Sequence, residues 1–252
     1  MSNDYNKIVL DSMHELRYFN QRLKNLAESM TKQLNIHQFG QGKPLNVNAD
    51  NADQIRVMAE GMLDLSQLFR TRLDFIDVEL NPDAIGQMEI GSISIYGKFD
   101  KARKMLNSAA RGRKVKIVIV TEEVIKREIE AYSIIDIMPY MLLDNAVKYS
   151  PERNEVNVEF QYYESCTEIK IESFGPWVSD EEIPKIIDKH YRGENALKSE
   201  KVVGRGLGLY FVKYICDLHD ITIRFSSDTP SVKVGGVPYS IFTVTLSIPW
   251  GQ

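Results

Sequence analysis

The first third of the chain carries apolar side chains at alternating intervals of four and three residues. This heptad spacing places them along one face of an α-helix. It predicts one long helix over residues 5–38 and a second over residues 50–80, separated by a loop at 39–49 that contains glycine and proline. The heptad positions are Val9, Met13, Leu16, Asn20, Leu23, Ala27, Met30 and Leu34 in the first helix and Ile55, Met58, Met62, Leu65, Phe69, Leu73, Ile76 and Leu80 in the second.

Two such helices joined by a loop form a helical hairpin, which covers each apolar face on one side only. A symmetric homodimer would place four helices around a common core and cover the remaining apolar surface. The alternative is a monomer in which the hairpin packs on the rest of the chain. We predict a hairpin domain at 1–82, which ends at Asn81-Pro82, and a linker at 83–91.

From residue 92 onward the pattern changes to shorter apolar runs of mixed period. The predicted strands are 92–96, 115–120, 156–162, 168–172, 221–226 and 240–248, and the predicted helices are 98–111, 122–149, 179–189 and 207–218. Pro139 falls inside one of these helices, where it predicts a kink. Strands and helices without a repeating βαβ unit favour an α+β domain at 92–252, with one mixed sheet and its helices on one face.

Charge and composition narrow the possible functions. The 252 residues carry a net charge of −4 at pH 7, which argues against general binding to nucleic acid or to anionic membranes. No apolar run approaches the roughly 20 residues that a membrane-spanning helix needs, and the first residues do not resemble a secretory signal. Two distant cysteines and four histidines form no zinc motif. We therefore expect a cytoplasmic protein with no nucleic-acid partner and no membrane segment.

Three glycines at alternate positions, Gly204, Gly206 and Gly208, lead into the predicted helix that begins at Leu207. A turn without Cβ atoms lets backbone amides approach a phosphate, and a helix N-terminus favours negative charge. By itself the spacing also fits a tight turn with no ligand. The chain has no P-loop signature, and its glycines do not follow an opening strand as in a Rossmann fold.

Polar residues at the end of the predicted helix 122–149 offer further nucleotide contacts. Asn145 carries a carboxamide oxygen, a type of ligand that Mg²⁺ binds. Lys148 can contact a phosphate as a point charge, and Tyr149 offers a ring face to a base. A solvated polar helix end explains each of these residues equally well.

Two later stretches have the same ambiguity. Gly175-Pro176 predicts a turn after the strand 168–172, and this turn could admit a flat adenine beside Ser173. The segment from Arg192 to Arg205 is polar and basic, so it could fold over a triphosphate. The alternatives are a plain strand-to-helix connection and an exposed loop.

These stretches follow one another in a fixed order: Asp144-Asn145-Ala146-Val147-Lys148-Tyr149-Ser150, Phe174-Gly175-Pro176, Tyr191-Arg192-Gly193 and Gly204-Arg205-Gly206-Leu207-Gly208-Leu209. Their order resembles the N, G1, F and G2 boxes of the sensor histidine kinases, which are GHKL ATPases with the Bergerat nucleotide fold. Met13-His14-Glu15-Leu16-Arg17 resembles the H box of the same kinases. The resemblance covers nearly the whole chain.

The resemblance implies a dimeric four-helix bundle followed by a C-terminal α+β Bergerat-type sandwich that binds ATP and Mg²⁺. His14 would accept the γ-phosphoryl group, and Glu15 would take its proton or orient the ring. Asn145 would be the Mg²⁺ ligand. The ATP-binding residues would be Asn145, Lys148, Tyr149, Ser173, Gly175, Arg192, Gly204, Arg205, Gly206, Leu207 and Gly208. The expected partners are a second copy of the chain and a response-regulator receiver domain, whose aspartate would take the phosphoryl group from His14.

Of the positions that depart from the family pattern, two motivate an alternative function. Met141 stands where the family usually has asparagine, and Ser173 stands where it usually has an acidic or amide residue for the adenine. These departures motivate an alternative, a degenerate GHKL protein that acts as a nucleotide-binding or ATP-independent dimeric scaffold. A GHKL chaperone or DNA-repair ATPase is disfavoured, because those proteins place the ATPase domain first.

Overall fold

The computed structural model describes residues 16–17, 20–32, 34, 49–121, 128–199 and 206–250. The chain divides into two compact units, Met1–Met88 and Glu89–Gln252. Within the described ranges, no helix has the length and apolar character needed to cross a membrane.

The first unit is helical over part of the first predicted helix and over the second. Residues 5–15, 18–19, 33 and 35–38 of the first prediction lie outside the described residues. Residues 20–32 form helix α1, and Ala49–Leu80 form helix α2. The two helices touch, since a Cβ on Gly61 of α2 would lie 3.4 Å from the Cδ1 atom of Leu26 in α1. A 3₁₀ helix at Pro82–Gln87 follows α2 inside the predicted linker.

The buried stripe of α2 drifts away from the predicted heptad. Leu65 and Ile76 are buried as predicted, whereas Leu73 is 40% exposed and Leu68 and Thr71 are buried. An ideal α-helix has 3.6 residues per turn, so a straight helix departs from a strict 3.5-residue repeat along its length.

The second unit is built on a mixed sheet, as predicted. Its strands are β1 (Ile90–Ser94), β2 (Lys116–Thr121), β3 (Glu128–Tyr132), β4 (Glu155–Tyr162), β5 (Cys166–Pro176), β6 (Thr222–Ser227), β7 (Val232–Val234) and β8 (Val237–Pro249). The main sheet has the order β2-β4-β5-β8-β6, and β7 pairs with the start of β8. Strands β2 and β4 are parallel, and the other pairs of this sheet are antiparallel. Strands β1 and β3 form a separate antiparallel pair.

The helices of this unit are α3 (Ile95–Gly112), α4 (Ile137–Tyr149), α5 (Glu194–Lys198) and α6 (Gly208–Leu218). Helix α4 contacts α3, α6 and the strands β4 and β5. The side chains of β4 alternate, since Val156, Val158 and Phe160 are buried and Glu155 and Asn157 are exposed. One face of the sheet therefore packs on the helices, and this face holds the apolar core.

The predicted helix at 122–149 is wrong over residues 128–132, which form β3. Ile129 and Ala131 are buried there between exposed glutamates, and this period of two is that of a strand. Helix α4 begins only at Ile137. Pro139 lies in its first turn, where a missing amide hydrogen loses no intrahelical bond, so the sequence contains no mid-helix kink site here.

The predicted helix at 179–189 is also wrong. The structure has a 3₁₀ turn at Ile183–Lys185 flanked by other turns. Pro184 has no amide hydrogen for a longer helix, and turns adjoin the 3₁₀ helix on both sides, so this segment has a single helical turn.

Candidate nucleotide-binding site

The glycine turn requires glycine at position 206. Gly206 has a φ of +69°, and a Cβ there would lie 2.2 Å from the carbonyl oxygen of Tyr191. The amide of His190 donates to the carbonyl of Gly206 at 2.9 Å. The segment at 190–191 therefore lies directly against the turn. Gly204 and Arg205 fall outside the described residues.

The turn leads into α6, and the side chain of Asn145 lies against that helix at its first residue. A Cβ on Gly208 would lie 3.2 Å from Nδ2 and 3.6 Å from Oδ1 of Asn145. Leu207, just before the helix, is 2% exposed and anchors the turn in the core. Two predicted stretches, 63 positions apart in the sequence, are thus brought together, with a carboxamide beside a helix N-terminus.

Lys148, at the end of α4, is held by two contacts. Its Nζ atom lies 2.5 Å from Oδ2 of Asp144, and both side chains are mostly buried. Its carbonyl oxygen accepts a hydrogen bond of 2.6 Å from Nη2 of Arg113, which follows α3. Arg113 thereby satisfies one of the carbonyls that a helix C-terminus leaves unpaired. Sequence reasoning missed Arg113, because nothing in its local pattern relates it to a helix that ends 36 positions later.

Strand β5 passes the end of α4 at Gly175. A Cβ on Gly175 would be in ordinary contact, 3.7 Å, with the Cβ of Tyr149. Ser173 is 9% exposed and lies opposite Phe242 of β8. Tyr149 and Gly175 are therefore neighbours, and Ser173 is a buried hydroxyl two residues away on the strand.

The predicted turn at Gly175-Pro176 is wrong, because both residues belong to β5. They pair with Ser240 and Tyr239 of β8. Strand β4 pairs with β5 only as far as Glu172. Beyond that point β5 is open on one side, where the missing amide hydrogen of proline interrupts no ladder.

In the chain, Arg192 lies between residues 190–191, which contact the glycine turn, and the short helix α5. Its Nη2 atom donates to the carbonyl of Ala196 at 3.4 Å. His190, two residues earlier, has a φ of +70°, a left-handed conformation that is uncommon outside glycine. The segment is thus bent sharply where it meets the turn.

His14 and Glu15, the predicted phosphoacceptor and its neighbour, lie outside the described residues. Among the residues that the structure describes, no cluster of three or more histidine, cysteine, aspartate and glutamate side chains could hold a metal ion. The predicted metal ligand Asn145 is a carboxamide, which such a cluster does not include.

Residues 138–249 match the family described as histidine kinase-, DNA gyrase B- and HSP90-like ATPase. This range runs from the first turn of α4 to the end of β8 and contains Asn145, Gly206 and Gly208. The matched range lies within the second unit.

The curated relatives are sensor kinases. The probable sensor kinase SilS of Salmonella typhimurium is 32% identical over 92 residues, which are 36% of this chain and 18% of that protein. The sensor histidine kinase YvrG of Bacillus subtilis is 32% identical over 88 residues, which are 35% of this chain and 15% of that protein. The chain thus spans less than one fifth of the length of these relatives. Over the matched residues, the chain is similar to these sensor kinases.

Solved structures share the fold. The nucleotide-free catalytic domain of the histidine kinase ThkA has a TM-score of 0.51 at 18% identity, over 64% of this chain and 96% of that chain. Full-length ShkA in complex with AMPPNP has a TM-score of 0.52 at 13% identity, over 92% of this chain and 47% of that chain.

Proposed function

We propose that this protein is a histidine kinase that transfers the γ-phosphoryl group of ATP to His14 and then to an aspartate of a response-regulator receiver domain. The observation that carries the proposal is the contact of Asn145 with the first residue of α6, beside a turn that requires glycine at 206. Free amides and the dipole at a helix N-terminus favour phosphate binding. The relatives that share this domain are sensor histidine kinases.

The residues around the start of α6 would hold a nucleotide with its metal ion. Asn145 would ligate Mg²⁺ through its carboxamide oxygen, and the bound ion would neutralise charge on the phosphate chain. The amides near Gly206 and Gly208, with the preceding Gly204, would hold phosphate oxygens. Leu207 keeps this backbone in place, because its side chain is buried in the core.

The basic residues would bind the phosphates electrostatically. Lys148 is paired with Asp144, so a phosphate would replace or share that carboxylate as its partner. Arg192 enters from the segment that lies on the glycine turn, and Arg205 would enter from the other end of the same loop. Positioning and charge neutralisation are the main contributions that a protein makes to phosphoryl transfer.

The base would lie between the end of α4 and β5. Tyr149 and Gly175 are neighbours there, and the buried hydroxyl of Ser173 can donate a hydrogen bond to a base or accept one. A hydroxyl in place of the acidic or amide residue of related kinases keeps a polar contact in this position.

In the chemical step, a neutral imidazole nitrogen of His14 would attack the γ-phosphorus of ATP. The bond between this phosphorus and the β–γ bridging oxygen breaks, and ADP leaves with the electron pair. Glu15 would take the imidazole proton or orient the ring. In the second step, a carboxylate oxygen of the receiver aspartate would attack the same phosphorus and release His14.

A homodimer would supply the helical bundle for this step. The support is a hairpin whose helices touch at Gly61 and Leu26, together with exposed apolar side chains on α2 at Val57, Leu63 and Leu73. A second copy would cover these side chains. ATP as phosphoryl donor and a receiver domain as acceptor both place the reaction in the cytoplasm.

Incubation with γ-labelled ATP and Mg²⁺ tests the proposal on the wild type, His14→Ala and Asn145→Ala. We expect label on the wild type that is labile to acid and stable to alkali, and none on either variant. His37→Ala is the matched control, and it should keep the label. An added receiver domain should remove label from the wild type.

An unlabelled wild type that still binds ATP would refute the kinase and favour the scaffold, with Met141 and Ser173 as the residues to restore. Label that survives His14→Ala would refute the assigned acceptor.

A further inference from the structure

The segment from Ser179 to Glu194 closes on itself through one carboxylate, that of Glu182. Its Oε1 atom accepts hydrogen bonds from the hydroxyl of Tyr191 at 3.0 Å and from the amide of Glu194 at 2.8 Å. Its Oε2 atom accepts from the amide of Ser179 at 3.3 Å. One side chain thus joins the first and last residues of a sixteen-residue segment.

The Ser179 end of this arrangement contains one of the two hydrogen bonds of a capping box, from the amide of Ser179 to the carboxylate of Glu182. A serine followed three residues later by glutamate normally starts a helix, and the glutamate reaches back to the amide of the serine. Here only a 3₁₀ turn at Ile183–Lys185 follows. A capping box needs one carboxylate oxygen, and the second oxygen of Glu182 is used for Tyr191 and Glu194 instead.

The carboxylate is charged at neutral pH. Partial burial raises the pKa of Glu182, but the hydrogen bonds from Glu194, Ser179 and Tyr191 outweigh this effect, so its pKa lies below the ordinary value. Charge-assisted hydrogen bonds of this kind are roughly twice as strong as neutral ones.

Gly193 makes room for this carboxylate. A Cβ on Gly193 would lie 3.3 Å from Oε1 of Glu182, which is tighter than most real Cβ contacts. The chain therefore passes close over Glu182 between Arg192 and the start of α5.

The other side of the same segment rests on the glycine turn. The amide of His190 donates to the carbonyl of Gly206, and the carbonyl of Tyr191 occupies the space that a Cβ on Gly206 would need. The ammonium of Lys189 lies 5.3 Å from the ring centroid of Tyr210, in the first turn of α6. Tyr191 is thus held at both ends, by its hydroxyl at Glu182 and by its backbone at the turn.

We propose that Glu182 is a positioning residue for the nucleotide site: by fixing Tyr191 and the start of α5, it holds the backbone of 190–192 on the glycine turn and so sets nucleotide affinity. Glu182 touches no phosphate itself. This proposal rests on the proposed function for its nucleotide, but the hold of Glu182 on residues 190–192 can be tested without a nucleotide.

The first measurement is amide hydrogen exchange in the nucleotide-free protein. Glu182→Gln keeps the size of the side chain but removes its charge and places an amide donor opposite one of the present donors. We expect exchange to become about fivefold faster or more in peptides covering 189–194 and 206–211. Unchanged exchange in both peptides would overturn the proposal.

Two further variants sharpen this result. Tyr191→Phe removes only one of the three hydrogen bonds, so it should loosen the same peptides to a smaller extent and leave the fold intact. Glu181→Gln is the matched control, because Glu181 is an exposed neighbour whose carboxylate is hydrogen-bonded at the Ser179 end only. It removes the same charge and should leave both peptides unchanged.

The second measurement is the affinity for ATP with Mg²⁺, together with the midpoint of global unfolding. Glu182→Gln should bind about tenfold more weakly than Glu181→Gln, with unfolding midpoints that agree. Adding Tyr191→Phe to Glu182→Gln should weaken binding little further, because the two residues act through one contact. Equal affinities of Glu182→Gln and Glu181→Gln would overturn the proposal.

These readouts separate the two hypotheses. A wild type that binds ATP but gains no label refutes the kinase and leaves the affinity comparison valid. A wild type that binds no ATP refutes the nucleotide site and with it the role of Glu182 in affinity, while the exchange data still decide whether Glu182 holds the segment on the turn.

Discussion

The side-chain nitrogen of Asn145 lies 3.2 Å from the point that a Cβ on Gly208 would occupy. Gly208→Ala is therefore expected to lower ATP affinity while changing stability little. Alanine is favoured over glycine inside a helix by about 1 kcal/mol. This gain offsets the cost of the small shift of Asn145, so the free energy of unfolding should change little. That shift displaces the carboxamide, and ATP affinity should fall severalfold in a calorimetric titration.

Gly97→Ala is the control for this variant. Gly97 lies in the first turn of α3, and a Cβ there would make only an ordinary contact with Ser94 at 3.5 Å. It should gain the same helix propensity without any loss of affinity. An unchanged affinity in Gly208→Ala would show that ATP binding does not depend on the present position of the Asn145 side chain.

Gly206→Ala should destabilise the second unit strongly. The left-handed backbone costs an L-residue about 1–2 kcal/mol, and the new Cβ would lie 2.2 Å from the carbonyl oxygen of Tyr191, so the segment at 190–191 must move away. Thermal unfolding should show a loss larger than that of Gly235→Ala. Gly235 has a similar φ of +58° but no atom near its Cβ position, and thus reports the backbone strain alone. Equal losses in the two variants would contradict the close approach.

Arg113→Ala should remove the hydrogen bond to the carbonyl of Lys148 and leave the last turn of α4 less ordered. The lost bond from a charged donor is worth about 1.5–3 kcal/mol, and ATP affinity should fall as well, because Asn145 and Lys148 lie on this turn. Denaturant unfolding and ATP titration measure the two effects. Arg111→Ala, in an exposed position of α3, should change neither quantity.

His219 should make the second unit less stable at acidic pH. Its Nδ1 atom lies 2.8 Å from the carbonyl of Ile215, and its Nε2 atom accepts from the amide of Tyr132 at 3.1 Å. Nδ1 therefore carries the proton of a neutral ring, and burial lowers the pKa of His219 despite the carbonyl contact. Protonation would break the bond to Tyr132.

Because the folded pKa is depressed, the unfolded chain binds more protons as the pH falls below about 6.5. The stabilisation from His219 is complete above that value and is lost progressively below it. The difference in unfolding free energy between the wild type and His219→Ala should be about 1–3 kcal/mol at pH 7.5 and should shrink toward pH 5. A difference that stays constant over this range would contradict the neutral tautomer.

The parts of the fold that sequence patterns predicted are those with a local cause. The heptads of α1 and α2 and the alternation in β4 follow from neighbouring residues alone, and so does the helix after the glycine turn. The predicted helix includes residues 128–132 because it extends the helical period that begins at Ile134 back over them, although their own period is two. At 179–189 the helical signal is present in part, since Glu182 accepts a hydrogen bond from the amide of Ser179. Only a 3₁₀ turn at Ile183–Lys185 follows, and Pro184 lies in it.

The same distinction applies to the candidate site. Asn145 and the glycines could be proposed from residue chemistry and from their order in the chain. The contacts of Arg113 with Lys148 and of Glu182 with Tyr191 depend on how separate elements pack. No spacing in the sequence relates Arg113 to the end of α4, whereas Ser179 and Glu182 do carry the local signature of a cap.

Strand β8 lies inside the main sheet, between β5 and β6, although it follows both of them in the chain. During synthesis on a ribosome, β5 and β6 emerge with a gap between them that only residues 237–249 can fill. The main sheet of the second unit cannot close until those residues have left the exit tunnel. Until then β5 and β6 each present an unpaired edge, and such an edge can pair with the strand of another chain.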